Sequence, residues 1–508
     1  MSAATEAQAR TGWGLPLVVL VAGMFMSVLD TSIVNVAIPE MQVIFGVTAD
    51  DIEWIATSYT LVLGVVVPAS SWLGNRFGMK RVYNASLLAF AAGSALCGVA
   101  WDLDSMIAFR ILQAIPGGVL PVVTLSMLYQ IVPKEKIGTA MGLYGLGIIA
   151  APAVGPTLGG YLVEYVDWRL IFLINVPIGI LGAVAAWFLL PGFAAQRVGR
   201  FDLLGFVTIA TGLSALLLAL SEGQSWGWTS YPVVILIILG VLSLALFVVI
   251  ELEVEEPLLD VRVFRSWPYT NSLLLISVLS VGLFASLFYI PVFLQQAQGL
   301  GAFEAGLVLM PQALVMAVFM PLAGRLYDRI GARWPAVVGL SIVAWATHLM
   351  QDFTVETAQS EIVGLLCLRA VGMGLAMMPI MTGGISAVPP AHVGFASAFN
   401  NVAQRVSSAL GLAVLTAFMT IQQAQLSADR AGMVAADLAM PALGPGQRGQ
   451  MMGTMMVYQQ TQTQVFVSSL DDVMLINTVM TVVGVGLALF LRSGRSAPAG
   501  GARPALAE

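Results

Sequence analysis

Asp30 is the only charged side chain between Gly14 and Pro39, in the run GLPLVVLVAGMFMSVLDTSIVNVAIP. Burial disfavours the charged form of a carboxyl, so a carboxyl in such a setting can pick up and release a proton. A basic partner is available in Arg110, inside a second apolar run. Arg110, Gln113 and Gly117 recur at i, i+3 and i+7, which puts them on one helix face. That face reads either as a polar packing stripe or as a cavity wall carrying an arginine that controls titration. Two more lone basic residues, Arg369 and Arg405, lie in later apolar runs and need partners of their own, whether substrate, carbonyls or lipid phosphate. Candidate ligand-binding positions are Asn35, Phe284, Phe288, Tyr289, Gln312, Phe399, Asn400 and Gln404, together with Gln113. Aromatic surface with sparse polar groups suits amphipathic organic ligands; the alternative is that the aromatic rings face lipid or core.

Other chemistries lack their residues. No G-x-x-x-x-G-K-[ST] run occurs, so an in-chain ATP motor is not expected. His348 and His392 are the only histidines, and neither has metal-ligand spacing, so no metal is expected. No nucleophile elbow or H-E-x-x-H appears, and no soluble stretch is long enough to house an enzyme. Cys97 and Cys367 both fall in apolar runs and read as small buried hydrophobes.

The elements that must position these residues follow from composition. The chain is 58% hydrophobic and 10% charged, against about 25% charged in soluble domains. Apolar runs of roughly 20 residues recur from end to end, each able to cross a ~30 Å hydrocarbon core as a helix. Residues 1–13 do not resemble a cleaved signal, because the apolar run after them is too long. Fourteen spans are expected, at 14–38, 52–73, 82–101, 106–131, 138–163, 170–190, 203–222, 231–250, 270–294, 303–325, 334–351, 361–384, 396–421 and 471–492. With the N-terminus inside, the cytoplasmic segments hold Arg10; Arg76, Lys80, Arg81; Lys134, Lys136; Arg197, Arg200; Arg262, Arg265; Arg325, Arg329, Arg333; and Arg492, Arg495, Arg503. That is sixteen of the 22 basic residues, against Arg169, Arg430 and Arg448 outside, the asymmetry the positive-inside rule requires. An even number of spans with both ends inside follows. In that frame Asp30 and Arg110 both sit in the outer half of the membrane, at depths about 6 Å apart at 1.5 Å per residue. A carboxylate there costs ~2.5–3.5 kcal/mol on insertion scales, which makes it a functional candidate by default. A static pair holding two helices together is the alternative. The external segment 422–470, with MMGTMMVYQQTQTQ, reads as an amphipathic helix on the outer face, with a methionine metal site as the alternative.

Two loops repeat. SWLGNRFGMK at 71–80 and GRLYDRIGAR at 324–333 share Leu at the third position, Arg at the sixth, Gly at the eighth and a base at the tenth. The first follows span 2 and the second span 10, so two extra spans sit between six-span halves. The expected domains are 14–190, a linker pair at 203–250, and 270–492. Internal repeats of this kind build many transporters, with the substrate site between the halves.

In these features the chain resembles the major facilitator superfamily, and within it the fourteen-span drug:proton antiporters of the EmrB/QacA type. The loop signature is matched by Leu73, Arg76, Gly78 and Lys80; LDTSIVNVAIP at 29–39 is similar to the family's first-span motif; RILQAIPGG at 110–118 to its fourth-span motif. GIIAAPAVGPTLGG at 147–160 is similar to its antiporter motif, and WRLIFLINVPIG at 168–179 to a stretch typical of the fourteen-span branch. The chain departs from the pattern at Ser71, at Ala114 and at Asn75, where the loop normally carries an acid; Asp328 keeps the acid in the second copy, beside Arg329. The loop's charge interaction in relatives, which steadies the outward-open state, is therefore in doubt in the first half. In the antiporter motif, Gly147, Ala151, Gly155 and Gly159 form one flat packing face, flanked by Gly160, and Pro152 and Pro156 favour a bend.

The resemblance implies an all-α membrane protein of the bacterial inner membrane, with two six-helix bundles and two inserted helices. It would export amphipathic compounds in exchange for protons, with Asp30 and Arg110 at the coupling site. One charge crossing ~100 mV supplies about 2.3 kcal/mol and one pH unit about 1.4 kcal/mol. Together these sustain roughly a 500-fold gradient of a neutral substrate. The proton gradient is the energy source and no cofactor is expected. The partners expected are the bilayer, protons and a small amphipathic molecule, with an extracytoplasmic accessory protein left open and no nucleic acid. The alternatives are a lipid or secondary-metabolite exporter and, more distantly, a non-transporting scaffold or sensor.

Overall fold

The computed structural model describes residues 12–193, 199–438 and 447–491, with backbone alone at 427–438 and 447–462 and at Ala49, Ile149, Ala153, Pro156, Ala302, Phe303 and Ala391. Among the described residues there is no strand. Long apolar runs in lipid must satisfy their backbone groups internally, and a helix does so within one segment.

Among the described residues fourteen long helices follow one another: α1 (Gly14–Phe45), α2 (Trp54–Phe77), α3 (Met79–Gly98), α4 (Leu103–Ile131), α5 (Ile137–Tyr165), α6 (Asn175–Leu189), α7 (Leu203–Trp226), α8 (Tyr231–Glu253), α9 (Trp267–Gln296), α10 (Ala302–Ile330), α11 (Arg333–Leu349), α12 (Gln359–Ile385), α13 (Val393–Leu438) and α14 (Gln447–Ala488). Twelve candidate spans are long and apolar enough to cross a membrane. The two helices outside that set, α3 and α11, are packed into the bundle, α3 against α4 and α6, α11 against α12 and α14. The ends are set locally. Asp102 caps α4, accepting from the Ser105 N–H at 2.8 Å while its own N–H reaches Ser105 Oγ at 3.2 Å. The Ser105 hydroxyl and N–H beside it hold the Asp102 carboxyl below its usual range. Both loop repeats turn on their eighth residue: Gly78 has φ +89° and Gly331 φ +81°, a region L side chains avoid.

Basic residues gather at one end of the bundle. Arg76, Lys80, Arg81, Lys134, Lys136, Arg200, Arg262, Arg265, Arg325, Arg329 and Arg333 lie there, and among the described residues with side chains only Arg169 lies at the other end. The first end is taken as cytoplasmic.

The packing repeats with an offset of eight helices. The pairs α1–α5, α2–α4, α3–α4 and α3–α6 recur as α9–α13, α10–α12, α11–α12 and α11–α14. The inserted α7 and α8 pack on each other, and α7 lies on both α2 and α13, covering the seam between the halves on that side. On the other side α5 packs along α10.

The cores show which end is shut. One apolar cluster joins both halves at the cytoplasmic side, running from Leu17, Leu128 and Tyr144 to Met320, Met378 and Phe399. Toward the outer side the clusters separate: Ile33, Met41, Ile171 and Phe172 belong to the first half alone, and Ile290, Phe293, Leu366 and Met474 to the second alone. The molecule is closed inward and opens outward.

The segment 422–470 differs from the expectation of a helix lying on the outer face. α13 runs for 46 residues and α14 for 42, about 69 and 63 Å at 1.5 Å per residue, so both continue well past the ~30 Å core. No proline interrupts the chain between Pro390 and Pro441, so the helix persists after the apolar run ends. The methionine side chains at 451–456 lie outside the described residues.

Candidate functional site

Asp30 and Arg110 meet. Their side chains are 0% and 1% exposed and form an ion pair between α1 and α4. Asp30 Oδ1 also accepts from Gln113 Nε2 and from Asn175 Nδ2, each at 2.9 Å. Arg110 donates to Gln113 Oε1 at 2.7 Å and, from Nε, to the Ile55 carbonyl at 3.4 Å. Its guanidinium lies over the Tyr59 ring, 3.8 Å from the centroid, a cation–π contact. Gln113 Nε2 reaches Ser94 Oγ at 2.6 Å. Gly117, on the same face of α4, leaves room for Tyr59: a Cβ there would lie 3.0 Å from its hydroxyl oxygen. Five helices, α1 to α4 and α6, thus converge on one carboxylate. A buried charge survives only when paired and fully hydrogen-bonded, and this one is.

Gln113 does not line a cavity as the sequence suggested. It is fully buried, with its amide engaged by Asp30, Ser94 and Arg110. Asn175, Ser94 and Tyr59 were not singled out. A lone amide in LIFLINVPIG is the same signal that marked Asp30, a polar group inside an apolar run, and it pointed to Asn175.

A pocket of about 730 Å³ opens at the outer end of the second half, lined by Phe288, Tyr289, Val292 and Gln296 of α9, Thr416, Met419, Thr420 and Gln423 of α13, and Thr463 and Phe466 of α14. Tyr289 and Thr416 share a hydrogen bond of 2.9 Å across it. Gln224 of α7 donates to Thr420 at 3.1 Å, tying the inserted pair to the rim. Of the expected ligand positions, Phe288 and Tyr289 line this pocket; Phe284, Gln312 and Gln404 are accessible but do not, and Asn35 is exposed on α1. Phe399 is a correction. Its ring packs on Phe264 at 4.8 Å within the cytoplasmic seal, because α13 starts at that face and residue 399 lies under two turns in. Asn400 is buried beside it, its Oδ1 without a partner.

The cytoplasmic latch is asymmetric. Asp328, in the last turn of α10, accepts from the Gly138 and Thr139 N–H groups at 2.8 and 2.9 Å and from Thr139 Oγ1 at 2.7 Å. An acid from the second half thereby caps the N-terminus of α5 in the first, where the helix dipole favours a negative charge. The counterpart Asn75 is partly exposed and makes no side-chain hydrogen bond among the described residues. Arg76 and Arg329 are exposed, and Lys80 Nζ donates to the Leu190 carbonyl at 2.6 Å.

α5 has two glycine faces. Gly147, Gly155 and Gly159 abut Val21, Ser32 and Ile33 of α1, while Gly142 and Gly145 abut Pro321, Met320 and Met378 of the second half. Gly138 and Gly324 bring the backbones of α5 and α10 into direct contact. Gly160 faces open space. Pro156 has no N–H for the Pro152 carbonyl, and Ser32 Oγ of α1 supplies the donor at 3.4 Å. The side chain of Pro156 lies outside the described residues.

Two pseudo-symmetric helix bundles, sealed together at the cytoplasmic end and with separate cores toward the outside, are the architecture of a membrane transporter. Residues 20–412 match the profile of the Major Facilitator Superfamily, and the chain belongs to that family. It is 34% identical over 420 residues to an uncharacterised MFS-type transporter, YhcA, of Bacillus subtilis (strain 168), covering 83% of this chain and 79% of the relative. It is 31% identical over 411 residues to a multidrug resistance protein B homolog of Mycobacterium tuberculosis (strain ATCC 25618 / H37Rv), covering 80% and 76%. The fold is that of the proton:xylose symporter XylE, with a TM-score of 0.59 at 12% identity over 94% of this chain and 95% of that one. Like its bacterial relatives, this is a multi-pass protein of the cell membrane.

Proposed function

We propose that the protein exports amphipathic compounds in exchange for protons, by alternating exposure of a site between its halves. The observation that carries this reading is the buried Asp30–Arg110–Gln113–Asn175 network. Protonating Asp30 would remove the charge that holds Arg110 in place and leave a buried guanidinium without its counter-ion. Breaking a buried pair by removing one partner costs about 3–5 kcal/mol, enough to drive a rearrangement of α1 against α4. Proton and substrate then bias the same two-state equilibrium in opposite senses, which is what exchange requires. The name of the mycobacterial relative supports a drug-like cargo. The packing of α7 over the α2–α13 seam and of α5 along α10 disfavours lateral entry of a membrane lipid by either seam.

The test is flux of an amphipathic dye in proteoliposomes under an imposed pH gradient, with wild type beside Asp30→Asn. The expected result is gradient-driven movement in wild type and loss of its pH dependence in the variant. A variant that stays fully coupled makes the pair a structural strut and removes Asp30 from the mechanism.

A further inference from the structure

We propose that the substrate is an amphipathic anion, and that Arg405 receives its acid group between the two halves. This deepens the exporter reading and rests on it for the direction of transport, not for the binding chemistry.

The charge inventory of the described helices carries the argument. Three arginines lie deep within the bundle. Arg110 has Asp30. Arg369 of α12 occupies the corresponding place in the second half: α12, α9 and α14 repeat α4, α1 and α6. There the acid is missing. Arg369 is buried and donates to the Gly282 carbonyl of α9, while its Nε and both amide atoms of the neighbouring Asn477 of α14 have no partner. No described carboxylate compensates it.

Arg405 is the third. It is partly exposed and has no hydrogen bond or ion pair among the described residues. Its helix packs on α2 and α4 of the first half, and Tyr59 of α2 is its electrostatic neighbour. It lies 12 residues into α13, about 18 Å from the cytoplasmic end and near mid-membrane. Thr416 and Gln423 of the outer pocket follow it by 11 and 18 residues on the same helix. At about 100° per residue these fall within about 20° of its direction. Arg405 therefore continues the pocket's α13 wall inward, about 16 Å below Thr416.

A lone guanidinium at mid-membrane is costly, and so is a lone carboxylate; each removes the other's cost. The planar fork of arginine fits a carboxylate or other oxyanion through two parallel hydrogen bonds. The outer carboxylates sit at the rim, at Glu40, Glu53, Glu222 and Glu304 and at Asp472, which accepts from Gln422 at 2.8 Å. An anion is thus attracted at depth and repelled at the mouth.

Three probes with one apolar body separate the charges: pyrenebutyric acid, its methyl ester and a pyrenyl trimethylammonium. Their binding to the detergent-purified protein is measured by fluorescence. The acid is expected to bind at least 10-fold more tightly than the ester or the cation. Arg405→Gln should weaken the acid about 10-fold to 100-fold, leave the ester unchanged as evidence of folding, and be partly rescued by Arg405→Lys. Competition by decanoate against competition by salicylate then tells a lipid-derived acid from a soluble aromatic one. Tighter binding of the cation, no binding of the acid, or an acid affinity indifferent to Arg405→Gln overturns the proposal. In proteoliposomes the two readings part: Arg405-dependent binding without gradient-driven movement upholds the anion site and sinks export, whereas coupled movement of the cation without Arg405 dependence does the reverse.

Discussion

Replacing Asp328 by alanine should open the cytoplasmic end. The carboxylate takes three hydrogen bonds from the first turn of α5, at 2.8, 2.9 and 2.7 Å, and all three cross between the halves. Losing a helix cap costs about 0.5–2 kcal/mol. Losing the charge at the helix N-terminus adds about 0.3–1 kcal/mol at a site partly reached by solvent. Water replaces some of what is lost once the halves part, so the net effect on the outward–inward equilibrium is about 2 kcal/mol, or roughly 30-fold. A protein at 100:1 in favour of the outward form would then hold about a quarter of its molecules inward-open. Spin labels at the exposed Lys134 and Arg325, on opposite halves of the cytoplasmic face, would report this by pulsed distance measurement in a background with Cys97 and Cys367 replaced. Wild type should give one short distance and Asp328→Ala a second, longer population. The converse variant, Asn75→Asp, restores the acid in the first copy and should shift the equilibrium outward. An unchanged distance distribution in Asp328→Ala would refute the latch and leave the apolar seal as the sole closure.

Asn175→Ala removes one of the two amide donors to Asp30 Oδ1; a hydrogen bond to a charged group contributes about 1.5–3 kcal/mol. Its loss should lower gradient-driven flux about 10-fold or more, measured in proteoliposomes at fixed membrane potential and pH gradient. Unchanged flux would separate Asn175 from the Asp30 network. Gly324→Val puts a side chain against the Gly138 carbonyl, where backbone meets backbone, so it should block cytoplasmic closure without unfolding the halves. The same spin-label pair should then report the long distance alone, while the thermal unfolding midpoint stays within a few degrees of wild type. A short distance in this variant would show that α5 and α10 can slide apart to accommodate it.

Much of this was legible in the sequence because lipid narrows the choices. Apolar runs of spanning length gave the helices, and arginine placement gave their direction. Depth counting along opposed helices then brought Asp30 and Arg110 to one level, and the structure brings them into contact. Spacing, however, fixes which residues share a face and not what that face meets. Arg110, Gln113 and Gly117 do share one, yet it turns to Asp30, Ser94 and Tyr59, so Gln113 is a ligand of the network rather than a cavity wall. Phe399 fell to the same ambiguity, although its depth near the cytoplasmic start of α13 was available. Hydropathy also marks where a helix leaves lipid, not where it ends, which is why α13 and α14 outrun their expected spans. Asn175 needed no structure at all: an amide in an apolar run carries the same cost that drew attention to Asp30.

The two halves share a plan of packing and divide its chemistry. The plan offers a buried arginine on the fourth helix of each half and an acid in the loop after the second. In the first half the arginine has its carboxylate, and the loop has lost its acid to Asn75. In the second half the loop keeps Asp328, and the arginine Arg369 has only a carbonyl for company. A symmetric protein would place the same buried pair and the same latch in each half. Here one half holds the buried ion pair and the other holds the acid of the latch and two arginines with no carboxylate partner among the described residues. A proton arriving at Asp30 and a ligand arriving at Arg405 therefore act on opposite sides of one interface. That interface brings α13 against α2, whose Tyr59 stacks on Arg110 and is an electrostatic neighbour of Arg405. A Tyr59→Leu protein should keep both sites and lose their mutual influence. Binding of the pyrene acid is expected to depend on whether position 30 is Asp or Asn when Tyr59 is present, and to lose that dependence in Tyr59→Leu. If that dependence persists without Tyr59, the two sites communicate through the closure of the halves as whole bodies.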